Sequence, residues 1–156
     1  MLNCQDVANY FLAQVDEDAG DLISNLKLQK LVYYAQGINL ALYNQPLFPE
    51  VLEAWIHGPV VPVLFYTYQR HEGCAIPPPD DLDFSIYNSQ TRELLDEVYV
   101  VFGQYSAWKL YKMTHEELPW KNTSIGSEIS LELMSDYFKT QVVTDGKNQK
   151  DKLSPT

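Results

Sequence analysis

Three histidines, two cysteines and the adjacent carboxylates Glu116 and Glu117 are the side chains of this sequence best suited to chemistry. His57 precedes Gly58-Pro59 at a turn, His71 sits near a helix end, and His115 follows Thr114. A zinc site has recognisable spacings, such as HExxH, CxxC or two histidines four residues apart, and the chain contains none of them. The histidines therefore read as structural or interface residues, and no metal or cofactor is assigned. Cys4 or Cys74 could in principle pair with a histidine as a nucleophile. Neither carries a local signature, and there is no GxSxG turn and no GxxxxGK phosphate loop. Two free thiols in a reducing cytosol are preferred to a disulfide between them. Glu116 and Glu117 are neighbours on a helix, where side chains point about 100° apart. Glu117 is better explained as the end of a capping box, Thr114-His115-Glu116-Glu117, which follows the Ser/Thr-x-x-Glu pattern. No catalytic residue is assigned, and the chain reads as a non-enzyme.

Gln29 and Gln36 are seven residues apart and so share a helical face, flanked by Tyr33 and Leu40. A buried amide without a partner costs about 1–3 kcal/mol. Each glutamine must then bond within the fold, for instance to the backbone around Trp55 or Trp120, or bond to another protein. The internal bond is the preferred reading.

The element that positions most of these residues is a long helix, Leu26 to Tyr43. Ser24 or Asn25 can cap its start, because a short side-chain oxygen satisfies free N–H groups of the first turn. Asn44, Gln45 and Pro46 end it, since proline biases the preceding residue away from helical dihedrals. Leu28, Leu31, Val32, Ala35, Ile38 and Leu42 share one face, yet no side is simply polar. Such a helix belongs in the middle of a fold. The run Val51 to Ile56 is short and apolar, as a strand would be, and Gly58-Pro59 breaks it. Helical spacing resumes from Val60 to Glu72, closed by Gly73.

Asn3 caps a first helix over Cys4 to Asp18, ended by Gly20, with Asp6 placed where the helix dipole favours an anion. Cys74 to Asn88 is a loop stiffened by Pro77-Pro78-Pro79 and kept wet by Asp80, Asp81 and Asp83. Asn88 or Ser89 starts a helix to Gly103, and Ser106 caps another over Ala107 to Met113. Pro119-Trp120 ends the turn after it. Ser127 to Ser130 leads into a last helix with Leu131, Met134 and Phe138 apolar. Residues 144–156 are polar and lysine-bearing without an apolar period, and are expected to fray. The fold class is mainly α: one compact helical domain, residues 1–143, around the central helix, with a minor β element near residues 51–57. Trp55 and Trp120 are expected to be largely buried.

At 156 residues the chain suits a single domain, long enough to bury about 70% of its unfolded surface. Its 21 acids and 11 bases give a net charge of −10. That opposes unaided nucleic-acid binding, which needs clustered Lys and Arg. It favours a basic protein partner by steered encounter, or serves solubility alone. Leu31 to Pro49 is free of charge but holds Gln36, Asn39, Asn44, Gln45 and Pro46, which a bilayer core would penalise. The N-terminus has no basic region followed by an apolar run, so no membrane association is expected and a cytoplasmic protein is.

Four pieces occur in a telling order: Lys27-Leu28-Gln29-Lys30-Leu31-Val32-Tyr33-Tyr34-Ala35-Gln36, Glu53-Ala54-Trp55, Gly58-Pro59-Val60-Val61-Pro62, and LYKMTHEELPW from Leu110 to Trp120. Together they resemble the Panacea domain family, known from phage-associated proteins and SocA-like antitoxins, over about Leu2 to Val142. The resemblance implies an antitoxin that neutralises a cognate toxin protein by direct binding. It also implies alternatives: a proteolytic adaptor delivering a toxin to a Clp-type protease, or a phage-linked regulatory or scaffold protein without a toxin. The family's pattern makes Gln29, Gln36, Trp55, Thr114, His115, Glu117, Pro119 and Trp120 its structural residues. The central helix has more faces than a small fold covers easily. Its Lys27, Lys30 and Tyr34 edge is therefore expected to be exposed and to meet the toxin, together with the Gly58-Pro59 turn. Tyr34, Tyr66 and Tyr68 are the expected aromatic anchors.

Overall fold

The structure is a computed structural model and describes residues 1–16, 22–71, 73–144 and 151–153. At its centre is α2, Asn25–Tyr43. Ser24 is its cap, with Oγ accepting from the Lys27 amide at 3.3 Å. Asn44 closes it in the left-handed conformation, φ 56°, a region that asparagine tolerates better than most residues. Every residue from Leu28 to Leu40 is buried. Around it pack α1 (Cys4–Ala13), α4 (Ser89–Phe102), α5 (Ala107–His115) and α7 (Leu131–Lys139). The expected central position of this helix is what the structure shows. Gly37 permits the approach of α7. A Cβ there would lie 2.1 Å from the Phe138 ring of α7, so only a hydrogen side chain lets the two helices meet.

α1 begins as expected, at Asn3. The Asn3 side chain accepts from the Asp6 amide at 2.8 Å, and Asp6 returns the bond to the Asn3 amide at 3.0 Å. It ends earlier than expected, because Gln14 and Val15 bond back only three residues, to Phe11 and Leu12. These tighter bonds unwind the last turn. Residues 17–21, with the expected Gly20 stop, lie outside the described residues.

The short β element is a hairpin. β1, Glu53–Trp55, pairs antiparallel with β2, Gly58–Val60, in the register Glu53 to Val60, Ala54 to Pro59 and Trp55 to Gly58. Ile56 and His57 form its tip. The other edge of β1 is covered by backbone from the 126–129 segment: the Ala54 amide donates to the Ser127 carbonyl at 3.0 Å, and the Ile129 amide to the Leu52 carbonyl at 2.8 Å. The helix expected from Val60 instead starts at Pro62, as α3, Pro62–Thr67. Proline lacks the N–H that a first helical residue would leave unbonded, while Val60 is still paired in the hairpin. A 3₁₀ turn, Gln69–His71, follows.

The expected capping box does not form. Thr114 lies in the last turn of α5, and its hydroxyl donates back to the Tyr111 carbonyl at 3.1 Å. Glu117 precedes a separate short helix, α6 (Leu118–Lys121), without capping it through its side chain. Pro119 thus lies in the first turn of α6 rather than ending the preceding turn. Near the C-terminus, β3 (Val142–Thr144) pairs with β4 (Asp151–Leu153). The remainder of the stretch expected to fray, 145–150 and 154–156, lies outside the described residues. Among the described residues, no helix is long and apolar enough to cross a membrane.

Candidate functional site

The residues singled out by their pattern fall in two places. The first is a buried polar seam along α2. Gln29 accepts from the Val61 amide at 2.9 Å and donates to Asn25 Oδ1 at 2.9 Å. Gln36 accepts from the Leu47 amide at 2.7 Å and donates to the Phe48 carbonyl at 2.9 Å. Both amides are therefore spent inside the fold, holding the start of α3 and the loop after α2. Their partners lie at 61 and at 47–48, not around Trp55 or Trp120. The hydroxyls of Tyr33 and Tyr34 donate to the two oxygens of Glu117 at 2.9 and 2.8 Å, bridging α2 to the start of α6. The capping box fails because Thr114 lies inside α5 rather than at a helix start, and the Glu117 carboxylate turns to the two tyrosines instead.

Burial pushes the Glu117 carboxyl up to about 7, against the downward pull of the two hydroxyls. It also pushes the hydroxyls of Tyr33 and Tyr34 well above the ordinary tyrosine range, with the Glu117 charge adding to the shift. Lys30 is sealed in beside them at 1% exposure. Among the described residues its Nζ donates to the Pro59 carbonyl, at 3.5 Å, and desolvation pulls its ammonium down to about 7. Gly58, φ 113°, completes the seal, because a Cβ there would lie 2.7 Å from Lys30 Cε. Among the described residues, no buried side-chain nitrogen or oxygen lacks a hydrogen-bond partner. A seam so completely satisfied stabilises one arrangement.

This geometry corrects the expected docking edge. Lys30, Tyr34, Gly58 and Pro59 are buried rather than exposed, because Glu117 and the hairpin carbonyl draw the polar groups of α2 inward. Lys27 is half-buried and donates to the Gly103 carbonyl at the end of α4, at 2.7 Å. Tyr68 is half-buried, its hydroxyl accepting from Gln5 of α1 at 2.6 Å. Of the expected anchors, Tyr66 alone stands open, at 60% exposure.

The second place is a surface strip of rings. Along one face of α5, Trp108 stacks on Tyr111 with centroids 5.1 Å apart, and Tyr111 meets His115 at 4.0 Å. His115 meets Trp120 of α6 at 4.0 Å. Two hydrogen bonds carry the strip onto the hairpin: Trp120 Nε1 donates to the Trp55 carbonyl at 2.7 Å, and His115 Nε2 lies 2.8 Å from the Ile56 carbonyl. Trp55 then meets Phe65 at 5.1 Å and Tyr66 at 6.0 Å. Trp55 and Trp120 are thus half-buried members of this strip rather than core residues proper. Ile56, Val63, Tyr66 and Trp108 are each 60% exposed or more. Scattered apolar side chains need no explanation, but these lie along a chain of ring contacts, which makes the strip a candidate interaction surface. A groove of about 750 Å³ between the hairpin tip and α3, lined by His57, Phe65, Tyr66 and Arg70 among others, adjoins it. The sequence reading missed Trp108, Tyr111, Ile56 and Val63. The signal was the Trp108, Tyr111, His115 spacing of one helical face, on a helix that also carries two lysines.

Nucleophilic chemistry finds little support in these surroundings. Cys4 is buried, and burial with the nearby Glu50 carboxylate pushes its thiol up to about 12, so the reactive thiolate is scarce. Cys74 is a free, exposed thiol. Among the described residues, no group of three His, Cys, Asp or Glu side chains could hold a metal ion.

The family model described as antitoxin SocA-like, Panacea domain, matches residues 28–121. That stretch runs from α2 to α6 and contains both the seam and the strip. Antitoxin SocA of Caulobacter vibrioides (strain NA1000 / CB15N) is 28% identical to this chain over 148 residues, covering 78% of this chain and 75% of that protein. No solved structure matches.

Proposed function

This chain belongs to the SocA-like antitoxin family with a Panacea domain, and from that membership we propose that it is a non-enzymatic antitoxin. It would neutralise a cognate toxin protein by direct binding. The family match across α2 to α6 carries this reading. The exposed strip supplies a docking surface that fits it, because aromatic side chains already held in place bind with little entropic loss.

The test is co-expression. A short reading frame beside this gene, toxic when expressed alone, should be tolerated when this chain is co-expressed, and the two proteins should co-purify. Rescue accompanied by rapid loss of the toxin, and abolished when a Clp-type protease is deleted, would mark delivery rather than blocking. If no neighbouring product is toxic or bound, the chain is a regulatory or scaffold member of its family instead.

A further inference from the structure

Both ring nitrogens of His115 face main-chain carbonyls. Nδ1 lies 2.6 Å from the Tyr111 carbonyl, one turn back on α5, and Nε2 lies 2.8 Å from the Ile56 carbonyl at the hairpin tip. A carbonyl oxygen can only accept, so each of these contacts needs an N–H on the ring. A neutral imidazole has one N–H and an imidazolium has two. In either neutral tautomer a nitrogen lone pair would be pressed against an oxygen. The surroundings suit the cation. His115 is the last residue of α5, where the helix dipole favours positive charge. The ring centroids of Tyr111 and Trp120 lie 4.0 Å from that of His115, and aromatic faces attract a cation.

We infer that His115 is a clasp for the hairpin that closes only as an imidazolium, tying Ile56 to the last turn of α5 and so keeping the strip continuous from Trp108 to Tyr66. Without its second proton the ring can hold the helix carbonyl or the hairpin carbonyl, but not both. The Tyr111 carbonyl is fixed within α5, whereas Ile56 and His57 form an exposed two-residue tip, so the tip gives way. The bond from Trp120 Nε1 to the Trp55 carbonyl then holds the hairpin from the side, with Lys30 on the Pro59 carbonyl beneath it. The tip is held at low pH and released as pH rises. Charged and titratable groups of both signs surround the clasp: Tyr111, Lys112 and Glu116 on or beside α5, Glu117 and Lys121 at the ends of α6, His57 and Glu53 on the hairpin, Glu128 opposite Glu53, and Lys30 under Gly58. The two carbonyls, rather than the net charge of this neighbourhood, set the proton count. The clasp deepens the reading of the strip as a docking surface and rests on that reading only for its effect on the partner.

The experiment follows the isotope-labelled full chain by NMR from about pH 5 to about pH 9, which spans the range in which histidines exchange their second proton. As His115 loses that proton, the amide signals of Ile56 and Gly58 should shift with the same midpoint, and the contact between the His115 ring and Ile56 should be lost. His57→Gln removes the titrating group of the tip itself and should leave this response in place. His115→Phe keeps a ring against Tyr111 and Trp120, and should hold the tip signals at their alkaline positions at every pH. Tip signals that ignore the titration of His115, that follow His57 instead, or a neutral ring that keeps its contact with Ile56 would overturn the clasp. Co-expression separates the two levels. Folded His115→Phe should rescue cells from the neighbouring toxic product less well than the parent, and full rescue would remove the clasp from docking. If no neighbouring product is toxic, the antitoxin reading falls and the titration still decides the clasp.

Discussion

Tyr33 and Tyr34 of α2 and Trp108 and Tyr111 of α5 are aromatic residues put to opposite uses. The first two are sealed, with rings packed against Phe138 and Phe102 and hydroxyls turned onto one carboxylate. The second two stack on each other at the surface, with Trp108 64% exposed. The α2 residues sit in the stretch that gives the sequence its family character, so their pattern invites a functional role. Their geometry shows them holding α2 to α6. Residues whose types are fixed by one another tell how the domain folds, and residues with no internal obligation are free to tell partners apart.

The largest expected effect lies in the seam. Glu117→Ala would strand two buried tyrosine hydroxyls, each costing about 1–3 kcal/mol, and together a large share of the 5–15 kcal/mol typical of a whole domain. Thermal or urea unfolding would show it. A variant as stable as the parent would mean the seam does not hold α6 in place.

A second effect concerns pH. The Glu117 carboxyl rises from its ordinary 4.5 to about 7, so the native state holds a proton that the unfolded chain has lost. Its stabilising contribution is full below 4.5 and declines as pH rises to 7. The Lys30 ammonium falls from 10.5 to about 7, so here the unfolded state holds the extra proton. Its contribution is full above 10.5 and declines as pH falls to 7. The joint contribution of the two groups is therefore lowest near pH 7, with limbs no steeper than about 1.4 kcal/mol per pH unit for each group. Urea unfolding from pH 5 to 10 should show the alkaline limb flattened in Lys30→Met and the acid limb flattened in Glu117→Gln. A profile that neither substitution changes would place both groups in water.

Much of this architecture is legible in the sequence, and part is not. The α2 stripe, its Ser24 cap, its stop at Asn44 and the strand at 53–55 rest on short-range chemistry, and the structure keeps them. That Gln29 and Gln36 find partners follows from the cost of an unpaired amide. Which backbone they meet depends on how the chain returns, and local pattern is silent on that. Lys30 and Tyr34 read as exposed because the central helix has more faces than a small fold covers easily. The partner of Tyr34 lies 83 residues away. The capping box fails locally, because α5 runs on through Thr114 to His115. Trp108 was missed for the converse reason: tryptophan suggests core by type, and exposure is a property of the assembled fold.

A smaller effect sharpens the contrast at a site with no polar group. Gly37→Ala places a methyl against Phe138 where there is no room, and overpacking of this kind costs about 1–3 kcal/mol. The melting temperature should fall while rescue from the toxin persists at temperatures where the variant is folded. Loss of rescue in the folded variant would tie α7 to the partner.

The smallest effect on stability is expected on the strip, and there the two regions part most clearly. Trp108→Ala and Tyr66→Ala remove side chains that are more than half exposed, so unfolding should shift by no more than about 0.5 kcal/mol. Affinity for the toxin should nonetheless fall by about 2 kcal/mol or more if these are anchors, near thirtyfold. The direct test measures both quantities on the double variant: the melting temperature of the purified protein, and its ability to rescue cells from the toxin. Rescue abolished with the melting temperature unchanged is the expected result. Full rescue by a stably folded double variant would contradict the assignment of the strip as the docking surface.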